Sequence, residues 1–91
     1  MLIPTRFDPA GAVILLLAGT LNATCVPDVD RALESAKQLR RPVVLDLGNV
    51  RFIDRPTLEY LIDVTGDNVR FMNCPQYLEY WMRRAVEDEP E

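Results

Sequence analysis

Residues Val43–Leu58 read VVLDLGNVRFIDRPTL, and the fold turns on how this stretch is parsed. Val43, Val44 and Leu45 form a short apolar run that meets an acid at Asp46. A brief β-branched run behind Pro42 and ahead of Gly48-Asn49 predicts a buried strand over Val43–Leu47, then a turn. Val50, Phe52 and Ile53 return to apolar. Asp54 then stands where a helix cap belongs, ahead of Leu58, Leu61 and Ile62 at helical spacing. The helix it opens is expected to stop near Asp63, with Gly66 supplying the break.

Working upstream, Leu2–Phe7 predicts an edge strand, since Pro4 cannot donate to a central ladder. Asp8-Pro9-Ala10-Gly11 has turn chemistry: proline presets φ and glycine permits positive φ. Ala12–Ala18 is continuously apolar, as in a strand covered on both faces, and Gly19 is expected to end it. A loop over Thr20–Thr24 follows, with Thr24 as N-cap of a helix spanning about Cys25–Leu39. Pro27 falls in the first turn, where its missing N–H costs nothing. Asp28 and Asp30 sit near the positive helix end, and Arg40 and Arg41 near the negative one. Val29, Ala32, Leu33 and Ala36 make one apolar stripe.

Downstream, Val69–Met72 predicts a fourth strand. Asn73 or Cys74 caps a last helix whose first position is Pro75. Leu78, Trp81, Met82 and Ala85 mark its buried side, with Tyr77 and Tyr80 at the stripe's edges and at least one ring half exposed. The order is β-β-α-β-α-β-α. A tight turn makes the first two strands antiparallel, and helical connections favour parallel pairing for the rest.

These residues resemble the STAS domain, the fold of anti-sigma-factor antagonists. Leu45-Asp46-Leu47 and Ile53-Asp54 match its strand-turn-helix signature, and Gly19-Thr20-Leu21-Asn22 resembles its Gly-x-Leu-Asp. Val69–Asn73 with Pro75 resembles its fourth strand and following turn. The resemblance runs from about Leu2 to Val86. It implies an α/β fold with a mixed four-stranded sheet and helices mainly on one face. The domain would occupy residues 1–86, with 87–91 an acidic tail.

The departures bear on function. The family's regulatory phosphate goes on the serine or threonine directly after the motif's acid, and that position here is Arg55. Pro56 and Thr57 replace the next small residues. Arginine has no oxygen nucleophile, and its charge opposes the roughly −1.5 to −2 that a phosphate would bring. Thr57 is the one displaced candidate for phosphorylation, though a solvent-facing, first-turn structural threonine accounts for it as well. The segment from Asp54 to Asn68 is also shorter than in typical members by about two helical turns. By resemblance, partner-binding residues are Asn22, Thr24, Asp54, Arg55 and Thr57. Asp46, closing a buried strand, needs hydrogen-bond donors, expected from loop amides.

Composition narrows the classes. The 91-residue chain is one domain with one core. Its net charge is −4 and it has no basic stripe, which argues against nucleic acid. With no histidine, the usual general base and metal ligand are missing, so we expect no enzyme, no metal and no cofactor. There is no Walker-type phosphate loop, so nucleotide binding, which some STAS domains show, is a minor alternative. Cys25 and Cys74 fit neither a zinc nor a redox spacing and are expected to be reduced in a cytoplasmic protein. The longest apolar run, Ala10–Ala18, is too short for a bilayer, which needs about 20 residues.

The expected function is a bacterial, non-catalytic signalling domain that regulates transcription through protein–protein contact, its partner an anti-sigma factor or another regulator. The alternative is an accessory subunit docking on the ATPase of an ABC transporter for lipids. Apolar residues on both faces of Ala12–Ala18 also leave a sheet face for either the N-terminal segment or a second chain to cover, so association with itself, as a homodimer, or with a larger partner is a further expectation.

Overall fold

The computed structural model describes residues 3–66 and 68–87, apart from the side chains of 85–87. The elements are β1 (Thr5–Phe7), β2 (Val13–Leu21), a 3-10 turn (Ala23–Cys25), α1 (Val26–Lys37), β3 (Val43–Ile53), α2 (Arg55–Val64), β4 (Val69–Met72) and α3 (Gln76–Glu87). The sheet order is β1-β2-β3-β4, antiparallel between β1 and β2 and parallel thereafter. The expected mixed four-stranded α/β architecture is therefore present. Leu2, expected in β1, lies outside the described residues, as do residues 88–91 of the acidic tail.

One core holds the layers together. Leu15, Leu17 and Leu21 of β2 and Leu45 and Leu47 of β3 face Val29, Leu33, Leu58, Leu61 and Leu78 of the three helices. All three helices thus share one face of the sheet. The opposite face carries a small second cluster, Ala12, Ile14 and Val44, flanked by Leu16. Register sets Arg6 beside Ile14 and Arg70 beside Val44, so two long arginine stems border the aliphatic pair. Ile14 and Val44 are buried within the single chain. Burial of these two side chains needs no second chain.

Two expected strand ends are corrected. β2 does not stop at Gly19 but runs on to Leu21, and β3 does not turn at Gly48-Asn49 but continues to Ile53. The reason is that β3 absorbs its extra residues as bulges. Leu16 pairs with Asp46 and Ala18 with Asn49, then Gly19 with Val50 and Thr20 with Phe52. Each step adds one residue to β3 only, which keeps the ladder and bends the strand. Gly19 accommodates the bend with a φ of 75°.

The helix termini also differ from expectation. Thr24 does not cap α1: it lies inside the 3-10 turn, which Asn22 caps by accepting the Thr24 amide at 3.0 Å. α1 starts one residue later than expected and ends at Lys37, and Arg40 at φ 56° turns the chain away. α2 ends at Val64, close to the expected Asp63, through an extended Thr65 ahead of Gly66, and the Thr65 hydroxyl donates to the Ile62 carbonyl at 2.6 Å. Trp81 is not in the core. It is 44% exposed, while Leu78 is buried and Met82 half-buried. The side chain of Ala85, expected on the buried side, lies outside the described residues.

Candidate functional site

The head of α2 meets the exit of β2 at Asp54. Its Oδ1 accepts the Thr57 amide at 3.0 Å, the N-cap bond its position predicts. Its Oδ2 accepts the Ala23 amide at 3.2 Å, 31 residues away in sequence. Its own amide donates to the Leu21 carbonyl at 3.0 Å. One residue therefore joins the ends of two adjacent parallel strands to the helix and turn that follow them. Asn22 completes the corner, its Oδ1 taking both the amide and the hydroxyl of Thr24.

Of the five residues expected to bind a partner, Asn22, Thr24 and Asp54 come together here. Arg55 is the next residue outward, its Nε 3.2 Å from Glu59 Oε1, with both side chains more than half exposed. Thr57 differs from expectation. It does not face solvent but is 0% exposed, and its Oγ1 has no hydrogen-bond partner. A phosphate could reach it only if the first turn of α2 opened.

The Thr57 side chain is the first influence holding the Asp54 carboxyl below its ordinary value, although its hydroxyl makes no aligned hydrogen bond. Partial burial opposes it, and the Thr57 and Ala23 amides add to it. Asp54 is thus anionic wherever the protein is folded near neutral pH.

Asp46 lies further back along β3, paired with Leu16 and Met72. Its Oδ1 accepts the Gly48 amide at 2.9 Å and its Oδ2 the Asn73 amide group at 3.3 Å. The expected backbone donor is present, and a side-chain donor from the end of β4 joins it. A Cβ on Gly48 would stand 3.2 Å from both Asn73 Cβ and Asp46 Oδ1, so this bulge is closely fitted.

Two tyrosine contacts tie the helices down. Tyr60 donates to Asp30 at 2.9 Å, linking α2 to α1, and Tyr77 donates to the Val50 carbonyl at 2.8 Å, linking α3 to β3. Burial, with Asp30 and Glu34 beside it, raises the Tyr60 phenol well above its ordinary value. Burial also raises the Cys74 thiol, and both cysteines are free.

No known family model matches the sequence. No curated protein matches it either. Among solved structures it is similar to an uncharacterized protein of the DUF3478 family from Shewanella loihica PV-4, whose crystal structure is described as having a SpoIIAA-like fold. The match covers 98% of this chain and 79% of that one, at 13% identity and a TM-score of 0.49. The likeness is one of fold. It assigns no role to any residue here.

Sequence reasoning missed the long-range halves of these contacts. The Asp46-x-Gly48 spacing is a local signal, since a carboxylate readily takes the amide two residues on. Nothing local points to Asn73, Ala23, Asp30 or Val50 as partners. An open hollow of about 530 Å³, lined by Ala18, Gly19 and residues 48–51, lies over the bulges. Another of about 340 Å³ runs between β1 and α1, away from Asp54. Among the described residues no group of acids and cysteines could hold a metal ion, and no helix is long and apolar enough to cross a membrane.

Proposed function

We propose that this chain is a non-catalytic, regulatory protein-interaction domain acting like an anti-sigma-factor antagonist, held in one state rather than switched by phosphorylation. Its docking surface is the corner of Asn22, Thr24, Asp54 and Arg55. The observation that carries this reading is the state of the two positions at the head of α2 that matter for a switch. One is an exposed arginine and the other a fully buried threonine.

The corner's chemistry fits docking better than turnover. Asp54 spends its carboxylate on two backbone amides, which fixes the surface but leaves no poised acid or base. Among the described residues Arg55 is held by a solvent-exposed pair with Glu59, and such a helical pair contributes about 0.3–0.5 kcal/mol. It can therefore exchange Glu59 for a carboxylate on a partner at little cost. An acidic groove on the partner is the complement this predicts.

The test is a pull-down from the native host with tagged wild type beside Arg55→Glu, read by mass spectrometry. Wild type is expected to retain a regulator that the variant loses. Retention of an ABC-transporter ATPase instead would move the pathway to lipid transport while keeping the docking site. Equal retention by both proteins would refute the corner as the dock.

A further inference from the structure

The two edges of the sheet are not alike. At β4 the outer side is met by Gly66, whose amide donates to the Val69 carbonyl at 3.0 Å. β1 is the other end of the strand order, and among the described residues nothing pairs with its outer side. Two bonds fix which of its backbone groups face outward. The Leu16 amide donates to the Pro4 carbonyl at 3.0 Å, and the Asp8 amide to the Ala12 carbonyl at 2.9 Å. An antiparallel ladder alternates residues that bond inward with residues that do not, so Pro4, Arg6 and Asp8 bond inward. The amides and carbonyls of Ile3, Thr5 and Phe7 therefore point away from the sheet. Proline often guards such an edge, but the missing N–H of Pro4 falls on the inner side and guards nothing. Thr5 and Phe7 pair with Leu15 and Val13 of the core, so their side chains lie on the helix side. There Ile3 and Thr5 border the hollow of about 340 Å³ whose far wall is Ala32, Ala36 and Leu39 of the α1 segment. A row of outward amides and carbonyls beside such a hollow takes an extended chain as an added strand.

We propose that this edge is a homodimer interface, where β1 of a second copy adds antiparallel and joins the two sheets into one. The segment around Thr5 is complementary to itself. A two-fold axis at Thr5, normal to the sheet, sets Thr5 against Thr5 and Ile3 of each copy against Phe7 of the other. All three positions face outward and none is proline, so each amide meets a carbonyl. Ile3 is half-buried and Phe7 is 55% exposed, so an apolar pair forms at each end with a threonine pair between. Neighbouring registers fail. An axis at Arg6 sets arginine directly against arginine, which is destabilising. An axis at Phe7 brings Pro9, a turn residue without an N–H, opposite Thr5. One surviving self-complementary register is what an isologous two-fold interface requires. The added strand also closes the open side of the hollow. β1 pairs with the first half of β2, away from the Asp54 corner at its exit, so either proposal can fail alone.

The test follows the full chain by sedimentation from about 1 µM to about 1 mM, with amide exchange read by NMR at both ends of that range. The mass is expected to pass from monomer to dimer. The Thr5 and Phe7 amides should be protected only in the dimer, and the Arg6 and Asp8 amides at both ends. Thr5→Pro removes the outward N–H at the axis and no inward bond, so it should weaken association at least about tenfold. Thr5→Val keeps that N–H and should dimerise as wild type does. Thermal melts check that the variants stay folded. Should Thr5→Pro unfold, Phe7→Lys decides in its place, because Phe7 lies outside the core and its loss should weaken association about as much. A monomer throughout the range overturns the proposal. So does a dimer whose Thr5 and Phe7 amides exchange freely, a dimer that folded Thr5→Pro leaves intact, or mass growth beyond two copies.

Discussion

Replacing Thr57 with valine is expected to stabilise the protein. Thr57 is wholly buried and its hydroxyl is unpartnered. A buried hydroxyl without a partner costs about 1–3 kcal/mol in lost hydration, and valine puts a methyl group of the same shape in its place. Valine and threonine have nearly equal helix propensity, so the backbone of α2 contributes little to the difference. One effect opposes the gain, because the hydroxyl helps to hold the Asp54 carboxyl in its charged form. The Thr57 and Ala23 amides still bind that carboxylate in the variant, so relief of the buried hydroxyl should win. A net gain of about 1 kcal/mol at neutral pH corresponds to a Tm rise of about 4–8 °C for a domain of this size. Urea unfolding should show a higher midpoint at unchanged slope. Thr57→Ser, which keeps the hydroxyl and removes the buried methyl, should fall below wild type by about 1 kcal/mol. Loss of stability in Thr57→Val would show that the hydroxyl makes a true hydrogen bond to Asp54, and the account of an unpartnered buried hydroxyl would fail.

Gly48→Ala should cost about 1–3 kcal/mol, because its methyl meets Asn73 Cβ and Asp46 Oδ1 at 3.2 Å. Gly66→Ala meets nothing within 4 Å and is the matched control in the same urea melts. Asp54 has a folded pKa below its ordinary value of 3.8, so the stability it contributes is present above about pH 4 and lost as the pH falls through the folded value. Unfolding measured across acid pH should therefore be less pH-dependent in Asp54→Asn than in wild type, and equal dependence would refute the capping account.

Much of the fold could be read from the chain because its signals are local. The Asp8–Gly11 turn closes as its proline and glycine dictate, with the Gly11 amide on the Asp8 carbonyl at 2.8 Å. The apolar stripe of α1 is buried at Val29, Leu33 and Ala36, and Asp54 caps α2 as its position predicts. The strand ends were illegible because a glycine marks a bulge as readily as a turn, and only pairing with a neighbouring strand decides between them. Trp81 was misplaced because the apolar stripe of α3 is wider than the surface available to bury it. At the site, residues adjacent in sequence could be named, but the Ala23 contact needs two strands to end side by side. That is a property of register rather than of any motif. Thr57 was missed for a related reason. A first-turn position shows which side of the helix a residue occupies only once the helix is docked.

Local rules break at two places in α2, and they lie within one turn of each other. Arg55 puts a cation at the helix end whose partial charge is positive, against a preference worth about 0.3–1 kcal/mol. Thr57 buries a hydroxyl that makes no aligned hydrogen bond. The rest of the helix obeys its rules: a carboxylate cap, a proline in the first turn, and Leu58 and Leu61 in the core. Stability alone would have selected an acid or a small residue at 55 and an apolar one at 57. A sequence that is locally consistent except at one exposed corner is most economically explained by a demand on that corner other than folding. On the docking role proposed above, Arg55 is where that demand reaches solvent, and Asp54, bonded to both Ala23 and Thr57, keeps it in a fixed place. The Thr57→Val and Arg55→Glu outcomes are thus linked. If the first stabilises the fold and leaves partner capture intact while the second abolishes capture, the strain at 57 belongs to the scaffold and recognition belongs to 55.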